Sequence, residues 1–224
     1  MIKISKRLET ISNYINDNSN IVDIGCDHRL LDIYLIQNKK NINIIASEIN
    51  ENALNNAKNN IKKYKLNNKI KTILSDGLDN INTNNIDTII IAGMGAHTIV
   101  GILHKNIKKI KNIKQLIIQS NNDIDFLRKK IIELGYYIKE EKLIKEKNQI
   151  YTIILFNKGH KFYTKKQIYF GPYLLKENSK LFQEKNINDL KKLKIIYSLI
   201  PKTHFHHRYI IRKKLKMYKN EQKK

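Results

Sequence analysis

A chain of 224 residues with 41% hydrophobic content has room for one full α/β domain with a sizeable core and a smaller appendage. Its 43 Lys and Arg stand against 20 Asp and Glu, and the formal net charge of +23 points to an anionic partner. The single cysteine, Cys26, excludes an intramolecular disulfide; the most apolar stretch, residues 86–103, is broken by Gly93, Gly95, His97 and Gly101 and is too short to cross a bilayer. The first residues mix charge into a helical pattern instead of forming a signal peptide, so a soluble cytoplasmic protein without membrane association is expected.

Ser5 to Ile15 reads as a leading helix with Leu8, Ile11 and Ile15 on one face. Strand-like runs follow at Ile21–Ile24, Ile42–Ala46, Ile70–Leu74, Thr88–Ala92 and Leu116–Gln119. Helical patterns at Leu30–Gln37, Glu51–Tyr64 and Asp123–Leu134 separate several of them. Such alternation predicts a doubly wound parallel sheet with helices on both faces. After Gly135 come Tyr136–Ile144 and Gln149–Phe156, with Lys145-Glu146-Lys147-Asn148 as a hairpin-like break. A Rossmann-like sheet closed by an antiparallel hairpin is the arrangement of methyltransferases that use S-adenosyl-L-methionine (SAM).

Beyond Asn157 the character changes. A basic linker holding Lys158, Lys161, Lys165 and Lys166 leads to Gly171-Pro172, a helix-start signal. Tyr173 to Ile200 is helical in pattern, as one long helix or as two broken at Asn186-Ile187-Asn188-Asp189. Pro201 stops the pattern, and Thr203 to Lys224 is expected to be a basic, mobile end. Two domains follow, residues 1–157 for the cofactor and residues 158–224 as a basic helical, coiled-coil-like unit. Lys outnumbers Arg 38 to 5, a usage that an A/T-rich genome would give on its own. Codon bias does not account for the distribution: residues 157–224 carry 19 basic and only 4 acidic side chains. That imbalance favours a nucleic-acid surface.

The turn Asp23-Ile24-Gly25-Cys26-Asp27-His28 separates the cofactor classes. A dinucleotide fingerprint needs G-x-G-x-x-G so that backbone can close on a pyrophosphate, but here the later glycine positions are Asp27 and Leu30. A carboxylate would repel a pyrophosphate, whereas SAM carries a sulfonium and an ammonium that suit one. Asp27 also fits a helix cap near Arg29, and the two roles can coexist. Glu48, 23 residues after Gly25, is placed to accept from ribose hydroxyls. Ser75-Asp76-Gly77 ends the third strand, where Asp76 and neighbouring backbone suit an adenine, or simply an Asp-Gly turn. Three acids thus terminate three consecutive strands.

The fourth strand runs into Gly93-Met94-Gly95-Ala96-His97. Exocyclic-amine methyltransferases place [Asp/Asn]-Pro-Pro-aromatic here, and this chain has neither the prolines nor the aromatic. Gly93 and Gly95 permit close backbone approach to a cofactor or flat base, with Met94 as cofactor contact or packing. Cys26 lies in the cofactor turn and reads as a small filler, not a nucleophile. Asn121 follows the fifth strand, as a base-edge contact or an N-cap. His28 and His97 are placed to touch substrate or serve structure. His204, His206 and His207 lack acids or cysteines at ligand spacing, so no metal is expected.

Ser5-Lys6-Arg7-Leu8, Asp23-Ile24-Gly25-Cys26-Asp27-His28, Ile91-Ala92-Gly93-Met94-Gly95 and Asn121 with Leu127-Arg128 resemble the TrmK family of bacterial tRNA (adenine-22-N1)-methyltransferases. The resemblance runs over residues 1 to about 156, and Gly171-Pro172 is similar to the start of the family's C-terminal helical domain. It departs at Ala96 and Ser120, where the family usually reads Gly-Met-Gly-Gly and Gln-Pro-Asn. The resemblance implies SAM as cofactor, held by Gly25, Asp27, Glu48, Ile49, Asp76, Gly77, Gly93 and Met94. It implies tRNA as partner, with Asp27, His28 and Asn121 at the target adenine. A monomer is the expected state. A methyltransferase for another RNA or a small molecule, and an RNA-binding protein with a dead domain, are the alternatives left open.

Overall fold

The computed structural model describes residues 2–25 and 30–221; Cys26, Asp27, His28 and Arg29 lie outside the described residues. Two compact units emerge, Met1–Tyr163 and Thr164–Lys224.

The first unit opens on α1 (Lys6–Asn13), capped by the Ser5 side chain accepting from Leu8 N. It continues through β1 (Asn20–Ile24), α2 (Leu30–Asn38), β2 (Asn43–Glu48), α3 (Glu51–Lys63), β3 (Ile70–Leu74) and β4 (Thr88–Met94). Then follow α4 (Ala96–Lys105), β5 (Gln115–Ser120), α5 (Ile124–Glu133), β6 (Tyr136–Glu146) and β7 (Gln149–Lys158). Among the described residues the strands form a seven-stranded sheet in the order β3-β2-β1-β4-β5-β7-β6. β1 through β5 pair in parallel, and β7 runs antiparallel to β5 and to β6. The apolar runs explain why: Ile89-Ile90-Ile91 and Leu116-Ile117-Ile118 are buried on both faces, as a parallel sheet covered by helices requires.

Register aligns the strand ends. Ile24 pairs with Ser47 of β2 and Ile91 of β4, Glu48 with Leu74, and Met94 with Ser120. All five parallel strands therefore end along one edge, and the order reverses between β1 and β4. Open α/β sheets bind ligands at such a switch point.

The sheet expectation holds; several helix expectations do not. α4 does not stand out in the sequence, because its apolar residues run on from those of β4. The linker contains α6 (Lys165–Phe170), whose Thr164 and Gln167 form a reciprocal capping box. α7 (Pro172–Glu177) ends at Asn178 in the left-handed region, φ 45°. Ser179 then caps α8 (Lys180–Leu199), which passes unbroken through residues 186–189. The helix break thus falls at Asn178-Ser179, where a left-handed residue meets an N-cap. The basic end is helical: α9 (Phe205–Glu221) covers most of it. Tyr218 on α9 donates to Asp189 on α8 at 3.2 Å, while Arg208 donates to the Ile200 and Tyr197 carbonyls at 2.6 and 3.3 Å. Those contacts pair the two helices antiparallel. Tyr218 also packs edge-on against Phe170, giving the unit a small aromatic core with Phe182.

Candidate active site

The turns after β1, β2 and β3 are knitted together. Gly25 N donates to the Ser47 carbonyl at 2.9 Å, and the buried Ser47 hydroxyl donates to the Gly77 carbonyl at 2.6 Å. Gly25 has φ +69°, and a Cβ built there would stand 2.1 Å from Met94 Cε. The chain needs glycine at this position for its dihedral and for the side chain that lies against it. Gly25 and Met94, from the strands flanking the switch point, are thereby brought together. Gly93, φ +85°, has no atom within 4 Å of a built Cβ, so its backbone faces open space at this edge.

Glu48 ends β2 and is nearly buried, with its Oε1 accepting from Ile49 N at 3.0 Å and Asn50 N at 3.1 Å. The carboxylate is thus fixed by its own turn. Ile49 beside it is 66% exposed, an apolar side chain open to a ligand. Asp76 faces Lys105 of α4 at 3.2 Å, and the same ammonium meets Asp79 at 2.5 Å. Hydrogen bonding to Lys105 holds the Asp79 carboxyl below its ordinary range, and Asp79 followed by Asp76 raises Lys105. Gly77 has φ +60°, so the Asp-Gly turn is real and coexists with an exposed Asp76 carboxylate at the site edge.

Across the switch point, Asn121 is not a helix cap. α5 takes its N-cap at Asp123, and it is Asn122 Oδ1 that accepts from Ala96 N at 2.9 Å, capping α4 from outside. Asn121 instead donates Nδ2 to the Gly93 carbonyl at 2.6 Å and accepts from Gln119 Nε2 at 3.0 Å, with its backbone N on the Met94 carbonyl at 2.9 Å. His97 is exposed and stacks on Phe126 with centroids 4.2 Å apart, a contact within the protein. Asp27 and His28 follow β1 in sequence and lie outside the described residues. Among the described residues no group of three or more His, Cys, Asp and Glu forms a metal cluster, and no helix is long and apolar enough to cross a membrane.

The sequence motifs include Arg7 without giving it a role, and they give none to Gln119, Asn122 or Lys105. Arg7 carries a visible signal: the chain has five arginines against 38 lysines, so each arginine is a departure from the default cation.

A family model described as TrmK, tRNA (adenine(22)-N(1))-methyltransferase, matches residues 21–221. The chain belongs to the TrmK family. A Bacillus subtilis tRNA (adenine(22)-N(1))-methyltransferase is 31% identical over 205 residues, which cover 89% of this chain and 86% of that protein. The structure of M. capricolum TrmK with S-adenosyl-homocysteine superposes with a TM-score of 0.85 at 32% identity, covering 97% of this chain and 96% of the other. A Streptococcus pneumoniae structure in complex with SAM gives 0.88 at 30% identity, covering 98% and 99%.

The two departures from the TrmK pattern are small in place. Ala96 is buried, and the contact that matters there is its backbone N–H on Asn122. Ser120 is buried too, and its hydroxyl donates to the Asn122 carbonyl at 2.9 Å. It thereby restrains the loop that a proline would stiffen covalently.

Proposed function

We infer that the edge formed by the ends of β1 through β5 transfers a methyl group from SAM to N1 of adenine 22 in tRNA. The single observation that carries the reading is the donor set at the switch point. Glu48 ends β2, Asp76 follows β3, and Asp27 follows β1, where a pyrophosphate cofactor would need bare glycine backbone. The residues present suit SAM: Glu48 for the ribose, Asp76 with the Gly77 turn and Ile49 for the adenine, and Gly25, Asp27, Gly93 and Met94 around the amino-acid end. SAM supplies an electrophilic methyl whose transfer to the N1 lone pair leaves a neutral thioether and a cationic base.

No general base is required, because N1 bears an in-plane lone pair and no proton. The work of the chain is positioning, worth several kcal/mol of the barrier. Asp27, His28 and Asn121 frame the base, and Asp27 offsets the charge that arrives on it. N1 lies on the Watson–Crick edge, so the nucleotide must leave its stack, at roughly a few kcal/mol. The unit Thr164–Lys224, rich in lysine and poor in acids, grips the phosphates of the tRNA. Those contacts orient the substrate without choosing its sequence.

Two measurements test this. Labelled SAM should transfer its methyl to an unmodified tRNA transcript carrying adenine 22, recovered as 1-methyladenosine, and not to the guanine-22 transcript. Equal labelling of both would overturn the site of modification. In Glu48→Gln the amide oxygen can still accept from Ile49 and Asn50, so the turn survives while the anion is lost. SAM should bind this variant about tenfold more weakly by calorimetry, with an unchanged thermal midpoint. Undiminished affinity would remove Glu48 from the cofactor site.

A further inference from the structure

A single string of hydrogen bonds links the N-terminal helix to the loop after β5. Arg7 Nη1 donates to Gln119 Oε1 at 2.6 Å, Gln119 Nε2 donates to Asn121 Oδ1 at 3.0 Å, and Asn121 Nδ2 donates to the Gly93 carbonyl at 2.6 Å. Gln119 is wholly buried, and Asn121 is exposed. Arg7 is itself held at two points: its backbone N donates to Glu146 Oε1 at 2.5 Å, and its guanidinium lies 5.2 Å from the centre of the Tyr151 ring.

The ends of this string fix its direction. A guanidinium can only donate and a backbone carbonyl can only accept. The two amides between them can therefore satisfy every contact in one orientation alone. Turning Asn121 over would set its NH2 against that of Gln119 and its oxygen against the Gly93 carbonyl. A side-chain amide on an exposed loop is open to both orientations; here the fixed donor at one end and the fixed acceptor at the other select one.

We propose that Arg7 and Gln119 are positioning residues that set the polarity of Asn121, and through it the choice of adenine over guanine. One lone pair of Asn121 Oδ1 takes the Gln119 amide, and its second is left for the base, where it accepts from the adenine N6 amino group. N1 keeps its lone pair for methyl transfer. Guanine presents a carbonyl at that position and a proton on N1, so it meets acceptor with acceptor and offers no nucleophile. This rests on the reading above that Asn121 touches the target base.

The test is a double-variant cycle in methyl transfer at saturating SAM and tRNA. Arg7→Met should lower kcat about tenfold or more, with the tRNA KM and the SAM Kd within about twofold, and Arg7→Lys should recover part of the loss. Gln119→Glu keeps a partner for Arg7 but cannot donate to Asn121, so it should show the same kcat loss in a well-folded protein. In an Asn121→Ala background both substitutions should have no further effect. Losses that multiply undiminished in that background would overturn the relay, as would a loss confined to thermal stability or KM. Wild-type kcat in Asn121→Ala alone would overturn the base-framing reading itself. The cycle thus separates the two failures.

Discussion

Asp27→Ala is expected to lower methyl transfer to the adenine-22 transcript by about two to three orders of magnitude, the range seen when one preorganised electrostatic group is removed from a transition state. The argument starts from charge. Before transfer the positive charge sits on the cofactor sulfonium, and afterwards on the base; the transition state spreads it between the two. A carboxylate closer to the base than to the sulfonium gains attraction as the charge moves toward the base, with no proton to move and no reorganisation. Asp27 stands two residues after Gly25 in the chain, and β1 ends at the switch point of the sheet. Asp27→Asn separates its two proposed roles. The amide keeps a hydrogen-bond acceptor for the cofactor ammonium but has no charge for the base. A kcat loss in Asp27→Asn with near-normal SAM affinity assigns the residue to the base, and an affinity loss alone assigns it to the cofactor. Unchanged turnover in Asp27→Ala would remove it from the site.

The parts of this molecule that sequence discloses are those where one local rule dominates. Ile89-Ile90-Ile91 has one stable use, a strand buried on both faces. Gly25 and Glu48 were legible because turn chemistry and strand ends are written locally. The helical unit was harder to read, for a physical reason. Asn186-Ile187-Asn188-Asp189 has turn-forming residues, yet Asn186 is buried and Asp189 is held by Lys185 and Tyr218, so tertiary contacts keep the helix intact. The basic end lacks a strong apolar stripe, and pairing with α8 through Arg208 and Tyr218 makes it helical. The amide relay was illegible because Arg7 and Gln119 stand 112 residues apart and meet only after β5 is threaded into the sheet. Composition still held a trace of all this. Where lysine is the default cation, three of the five arginines make contacts inside the fold: Arg7 donates to the buried Gln119, Arg208 to carbonyls at the end of α8, and Arg128 to the buried Glu141.

Arg128 supports the largest stability prediction. Its Nε meets Glu141 Oε1 at 2.6 Å, and the side chains are 2% and 0% exposed, joining α5 to β6 inside the first unit. Removing a buried charge's partner strands the other in low dielectric, at about 3–5 kcal/mol. In a unit of this size that corresponds to a fall of about 6–20 °C in thermal midpoint. Glu141→Ala should show it, because the guanidinium cannot shed its proton to escape. The double variant Arg128→Met with Glu141→Leu should be the more stable of the two, since it leaves no charge to desolvate. A double variant less stable than Glu141→Ala would mean that the further polar contacts of these side chains outweigh the ion pair. The position has a functional corollary. α5 begins three residues after Asn121, and β6 ends at Glu146, which holds Arg7. The ion pair therefore clamps together the two elements that flank the amide relay. Well below the thermal midpoint, Glu141→Ala should still bind SAM as wild type while losing kcat, because the cofactor strands β1 to β3 lie on the other side of the switch point.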